Sequence, residues 1–220
     1  MPTSRQSPTL LLTGFGPFGG HPGNPSQDVI RALHDTQIAG HRVISVELPV
    51  VFGDALQALR RALRRSQPAL VICIGQAGGR AAISLERIAI NVDDARIADN
   101  AGAQPVDLPV IEGAPAAYFT SLPIKAMLQA LREAGIPAEV SQTAGTFVRN
   151  HVFYGLMHAL RRRKGVRGGF VHIPFSPRQA EQQPGQPSLP VETMIEGIRI
   201  AIEAALQHHT DLAIQAGAEH

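Results

Sequence analysis

Apolar and polar positions along this chain follow two rhythms, which take turns from one end to the other. Leu10-Leu11-Leu12, after Thr9, is a short apolar run that ends at Gly14 and predicts a buried strand. Ser26 predicts the cap of a helix reaching about His34. Arg42 to Leu48 alternates, with Val43, Ile44, Val46 and Leu48 apolar, and predicts a strand. Asp54 to Arg65 sets Leu56, Leu59 and Leu63 on one helical face, and Leu70 to Ile74 is a second unbroken apolar run, stopped by Gly75. Ile83 to Asn91 alternates imperfectly and reads as one strand. Residues 97–116, rich in Gly, Pro, Asp and Ala, read as an ordered excursion. Pro123 suits the first turn of a helix ending at Ala134. A short strand (Ala138 to Ser141), a helix (Phe147 to about Arg161) and a last strand (Phe170 to Ile173, ended by Pro174) follow. Residues 175–190 read as a loop, and Val191 to Gln207 as an amphipathic final helix.

Strands that alternate with helices imply an α/β fold with a largely parallel sheet, buried on both faces. Residues 1–220 are read as a single domain. Sites in such sheets form at the carboxyl ends of strands. That rule predicts a common edge for Gly14 to Gly20, Gly75 to Arg80, Ser141 to Arg149 and His172 to Pro174.

Composition narrows the picture. Apolar residues make up 44% of the chain but aromatics only 5%, with no Trp, so aliphatic side chains must fill the core. No apolar run is long enough for a membrane span. Met1 to Ser7 is polar and lacks an apolar signal region, which leads to the expectation of a cytoplasmic protein. Cys73 is the only cysteine, which excludes an internal disulfide and a thiolate metal cluster. No metal or cofactor is expected. A net charge of +2 implies no nucleic-acid partner. The basic clusters Arg60-Arg61, Arg64-Arg65 and Arg161-Arg162-Arg163-Lys164 read as solvated helical faces.

Five places could carry chemistry. Thr13 to Gly20 is a Gly-rich turn without the spacing of a nucleotide fingerprint, and its Phe15 and Phe18 could wall a small apolar pocket or simply fill core. Gly75-Gln76-Ala77-Gly78-Gly79-Arg80 could offer backbone N–H groups to an anion. Glu86 and Arg87 lie in an otherwise apolar strand and need a partner or a function, and Arg96, Asp93, Asp94 and Asp99 are candidate partners. His172 sits near the carboxyl end of its strand, as a core residue or a base. Ser141 to Val148 leads into a helix N-terminus, a place that stabilises a thiolate or oxyanion, yet Arg149 stands there.

Together these segments resemble the pyroglutamyl peptidase I family of cytosolic cysteine peptidases, over nearly the whole chain. The likeness rests on Thr13 to Gly20 with Asn24-Pro25-Ser26, and on Gly75-Gln76-Ala77-Gly78. It continues through Ile83 to Ala89 with Asn91, and Asp93 to Ile97 with Asp99-Asn100, where Ala98 replaces a usual proline. Ser141 to Phe147 with Asn150, Val152 and Tyr154, and Phe170 to Pro174, complete it. The resemblance implies a three-layer α/β/α sandwich, often tetrameric, that removes N-terminal pyroglutamate from peptides through a thioester. It implies His172 as general base and Glu86 as the group that orients it. It further implies Phe15 and Phe18 around the pyrrolidone ring, Gln76 reading the ring amide, and Arg96 at the substrate.

The family's nucleophilic cysteine aligns with Arg149, which has no nucleophile at any usable pH. Inactivity or severe impairment is therefore expected. Arg149 would meet like charge from a protonated His172, Arg96 and the helix N-terminus, and is expected to turn to solvent or to pair with Glu86. Two alternatives stand beside this. An active peptidase would use Cys73, Ser141, Thr143, Thr146 or His151 instead. A phosphorylase-like anion-binding enzyme would use the Gly75 to Gly79 loop with Arg80, Arg96 and Arg149. Arg149 could also hold a substrate carboxylate.

Overall fold

The structure is a computed structural model that describes residues 7–20 and 22–217; most of the polar N-terminal stretch considered above lies outside the described residues. In chain order the elements are β1 (Thr9–Phe15), α1 (Pro25–Leu33), β2 (Gln37–Ile38), β3 (His41–Leu48), α2 (Asp54–Ser66), β4 (Leu70–Gln76), β5 (Ile83–Glu86) and β6 (Ile88–Ile90). There follow β7 (Ala117–Phe119), α3 (Ile124–Glu133), β8 (Ala138–Ser141), α4 (Val148–Leu160), β9 (Arg167–Ile173), α5 (Pro177–Ala180) and α6 (Val191–Gln207).

The main sheet runs β2-β3-β1-β4-β9-β5-β8. Its two-residue side-chain period sorts the core onto two faces. Leu10, Leu12, Leu70, Ile72, Val171 and Ile173 meet α1, α3 and α6, whereas Leu11, Val71, Cys73 and Phe170 meet α2 and α4. The result is the expected three-layer α/β/α sandwich. No helix among the described residues is long and apolar enough to cross a membrane.

The sequence expectation of a largely parallel sheet holds for β3, β1, β4 and β9, which pair in parallel. The predicted common edge needs correction, because β5 pairs antiparallel to β9 and carries β8 with it in parallel. The carboxyl ends of β1, β4 and β9 therefore share an edge, while β8 ends toward the other side. The segment after Ser141 reaches the site by crossing the sheet face rather than by leaving the shared edge.

The strand expected over Ile83 to Asn91 is two strands in two sheets. Arg87 breaks it: its N–H donates to the Ser141 carbonyl (2.9 Å) and its own carbonyl accepts from Thr120 N–H (2.9 Å). β6 then leaves to pair with β7 in a separate two-stranded sheet, which lies over α4. This explains why α4 is buried almost all round. The excursion between β6 and β7 is ordered, with Asp93 and Leu108 bridged. Two helix starts also differ from expectation. Asn24, not Ser26, caps α1, accepting the Ser26 N–H (3.1 Å) in front of the first-turn Pro25. Pro123 precedes α3 as its cap residue instead of occupying its first turn.

Candidate active site

Glu86 and His172 meet because β5 lies beside β9. Ser84 is opposite His172 in the register, so Glu86, two residues on, stands diagonally across on the same face. His172 Nδ1–H donates to Glu86 Oε1 (2.7 Å). Arg80 Nη1 donates to the same oxygen (2.7 Å), and Arg80 Nη2 to the Thr143 carbonyl (3.1 Å). The cation that partners Glu86 is thus Arg80, from the turn after β4. Pairing with Arg149 does not occur, and none of Arg96, Asp93, Asp94 and Asp99 takes that place.

His172 is 1% exposed and lies against Phe170, ring centres 4.8 Å apart. Burial pushes its pKa down to about 4; Glu86 pulls it up, and Arg149 and Arg80 add to the depression. The ring is therefore neutral at pH 7. Glu86 holds the proton on Nδ1, which leaves the Nε2 lone pair without a hydrogen-bond partner among the described residues. An oriented neutral imidazole with a free nitrogen can accept a proton from a nucleophile.

α4 brings Arg149 onto this face. Gly145, in the left-handed region at φ 77°, turns the chain into the helix. Asn150 fixes the start of α4: its Oδ1 accepts Ile90 N–H (3.1 Å), and its Nδ2 donates to the carbonyls of Ile90 (2.8 Å) and Val92 (3.0 Å). The sequence marks Asn150 through the family likeness and as an amide within an apolar helix, but carries no sign of this anchoring role. The Arg149 stem crosses Gly75, whose Cα faces His172 in the β4–β9 register. A Cβ added to Gly75 would lie 3.2 Å from Arg149 Cδ and 2.8 Å from Phe170 Cζ, so the close approach requires glycine.

Arg149 is neither turned out to solvent nor paired. It is only partly exposed, and among the described residues its guanidinium has no hydrogen-bond or ion-pair partner. Burial, with the like charge of Arg80 behind it, lowers its pKa to about 10, so it is still a cation at neutral pH. The neighbouring like charge is Arg80, where sequence reasoning expected Arg96. Arg96 is exposed, and its carbonyl accepts from Gln104.

The two phenylalanines stand apart. Phe15 is enclosed (2% exposed) with its ring 6.4 Å from Phe170. Phe18 is partly exposed on Phe147 (5.2 Å), which in turn meets Phe52 (5.3 Å). Gln76 ends β4, its Oε1 accepting from Gln179 Nε2 (2.9 Å). By alternation Gln76 points to the face opposite Gly75. Gln179 also borders a cavity of about 300 Å³ lined by Asn24, Gln27 and Ser176.

Other potential nucleophiles are occupied. Cys73 is buried in β4, where burial pushes its thiol up to about 12. Ser141 Oγ donates to the Thr143 carbonyl (3.0 Å), Thr143 Oγ1 accepts Gly145 N–H (3.0 Å), and Thr146 Oγ1 donates to the Asp94 carbonyl (2.7 Å). His151 Nδ1 is bonded to Asp93 (2.7 Å) and its Nε2 accepts Gly53 N–H (3.1 Å), a closed structural pair. At the Gly75 to Gly79 loop, Arg80 is bound to Glu86 rather than free for an anion, and Arg96 is exposed.

A carboxylate-held imidazole beside the N-terminus of a helix, on a three-layer α/β/α fold, defines the layout of enzymes that transfer acyl groups to a side-chain nucleophile. A family model for pyroglutamyl peptidase matches residues 9–208. The chain belongs to the pyroglutamyl peptidase family. The pyrrolidone-carboxylate peptidase of Cupriavidus taiwanensis is 56% identical over 215 residues, covering 97% of this chain and 100% of that protein. That of Klebsiella pneumoniae is 57% identical over 211 residues, covering 96% and 99%. The crystal structure of pyroglutamyl peptidase I from Bacillus amyloliquefaciens matches with a TM-score of 0.92 at 44% identity, covering 96% of this chain and 100% of that one. Pyrrolidone carboxyl peptidase from Thermococcus litoralis matches at 0.91 and 35% identity, covering 94% and 99%.

Proposed function

We propose that this chain holds pyroglutamyl groups in a peptidase site whose covalent step is missing. One observation carries the proposal: Glu86 and His172 are set 2.7 Å apart with Nε2 free, while the side chain beside them at the start of α4 is Arg149. In the family reaction as the resemblance implies it, a cysteine at that position attacks the pyroglutamyl carbonyl. His172 takes the thiol proton at Nε2 and Glu86 steadies the imidazolium. Arg149 leaves the base and its orienter with no nucleophile to deprotonate. Cys73 cannot replace it, being enclosed and protonated at neutral pH.

The lactam ring would rest near Phe15 and Phe18 at the end of β1, beside the shared carboxyl edge of β4 and β9. Gln76 reaches that edge from the opposite face, and Arg96 stands exposed in the loop after β6. A cytoplasmic setting and a homotetramer belong to the same proposal, through the family resemblance; sedimentation would read the second. Incubation with a pyroglutamyl chromogenic amide is the direct test. No burst and no steady release are expected from this chain, whereas 2-pyrrolidone should raise its melting temperature. Turnover that survives substitution of Cys73 would overturn the proposal, as would a chain indifferent to 2-pyrrolidone.

A further inference from the structure

Among the described residues the Arg149 guanidinium has no hydrogen-bond or ion-pair partner, and the charge beside it is another cation, Arg80. Arg80 is held by Glu86 and the Thr143 carbonyl. Glu86 gives its bonded oxygen to Arg80 and His172, and its Oε2 is buried without a partner. α4 is a 13-residue helix without a side-chain cap, so the first-turn N–H groups of Val148 and Arg149 have no acceptor among the described residues. His172 is buried, with Nε2 unpartnered. A partly enclosed guanidinium in such surroundings lacks a counter-ion.

We infer that Arg149 converts the site from one that attacks a pyroglutamyl amide into one that captures a lactam bearing a free carboxylate, pyroglutamic acid itself. The inference rests on the proposed pyroglutamyl site and names the ligand form that it selects. The carboxylate would take both oxygens to the guanidinium and the uncapped α4 N–H groups, a planar fork matched to a planar anion. Phe147 immediately precedes α4 and carries Phe18 on its ring, 5.2 Å away. A small apolar ring therefore has an aromatic surface next to the place where its carboxylate would dock. The amide of the same lactam lacks the charge and would leave Arg149 unpaired.

Calorimetric titration of the full chain separates the possibilities, with pyroglutamic acid, pyroglutamamide, 2-pyrrolidone and acetate at pH 7. The acid should bind at least about tenfold more tightly than the amide, and acetate should bind far more weakly than the acid. Arg149→Met, which keeps the stem and removes the charge, should abolish that preference while 2-pyrrolidone still binds. Equal affinity for acid and amide would overturn the inference and leave the proposed pyroglutamyl site standing. So would an acid preference that persists in Arg149→Met. Acetate binding as tightly as the acid would show an anion site without lactam selectivity, which also overturns it. Binding of none of the lactams would instead remove the proposed pyroglutamyl site. If Arg149→Met does not fold, the acid-to-amide ratio of the unaltered chain decides alone.

Discussion

Restoring a thiol at position 149 perturbs the site at one atom group and has two separate consequences. Arg149→Cys removes a guanidinium whose pKa burial has lowered to about 10. That depression corresponds to roughly 2 kcal/mol of unfavourable desolvation once the part reached by water is discounted. Losing the stem that packs over Gly75 returns about 1 kcal/mol. The variant should therefore be more stable by about 1 kcal/mol, a rise in melting temperature of roughly 2–4 °C for a chain of this size. The chemical consequence is larger. The new thiol sits at the N-terminus of α4, within reach of the neutral His172, and removal of the Arg149 charge lets the His172 pKa move up from about 4. Loss of the nucleophile in a well-studied serine peptidase costs about a millionfold in kcat, with about a thousandfold or more left to the rest of the site. Restoring the nucleophile should accordingly raise release of chromophore from a pyroglutamyl amide by several orders of magnitude, up to about a millionfold, and iodoacetamide should abolish the gain. A folded Arg149→Cys protein that turns over within about tenfold of the parent would refute the reasoning. So would a parent that already matches the variant, or a variant that melts several degrees lower.

Asn150→Ala removes the bonds that tie α4 to β6 and strands partly buried backbone groups at Ile90 and Val92, so it should cost about 1–3 kcal/mol by denaturant titration. Gly75→Ala drives a methyl group to within 2.8 Å of the buried Phe170 ring and should cost about 1–3 kcal/mol; an unchanged midpoint would show that Phe170 can yield. The His172 pKa is depressed in the folded state to about 4 from 6.5, so the unfolded chain takes up the proton first as pH falls. Its contribution is complete above about pH 6.5 and is lost progressively toward pH 4, amounting to roughly 3 kcal/mol. Melting temperatures across that window should fall less steeply in His172→Gln, in which Glu86, Arg80 and Arg149 are the charges left around position 172; parallel curves would sink this account.

Much of the fold was legible because it is local. A continuous apolar run predicts a strand buried on both faces, and β1, β4 and β9 fall where such runs lie. A helical apolar period predicts a packed helix, and α2 and α6 keep the expected limits almost to the residue. The same patterns marked Glu86 and His172 as charges or polar rings in apolar strands. The family likeness singled out position 149.

Tertiary structure decided what those patterns cannot encode. Periodicity says which face of a strand is buried, but not which way the strand runs, so the antiparallel β5 and β8 could not be foreseen. The break at Arg87 depends on bonds to Ser141 and Thr120, both far along the chain. By charge alone Arg96 and Arg149 were both plausible partners for Glu86; Arg80 was the one the β4–β5 turn brought within 2.7 Å. Phe15 and Phe18 look equivalent in sequence, yet one lies within the core and the other on its rim. Above all, the sequence determined that a cation replaces the nucleophile, and only the fold determined that it stays beside His172 without a counter-ion. The physical reason is common to these cases: side-chain identity fixes which charge is present, whereas its partners are set by distances between segments that meet only when the sheet is assembled.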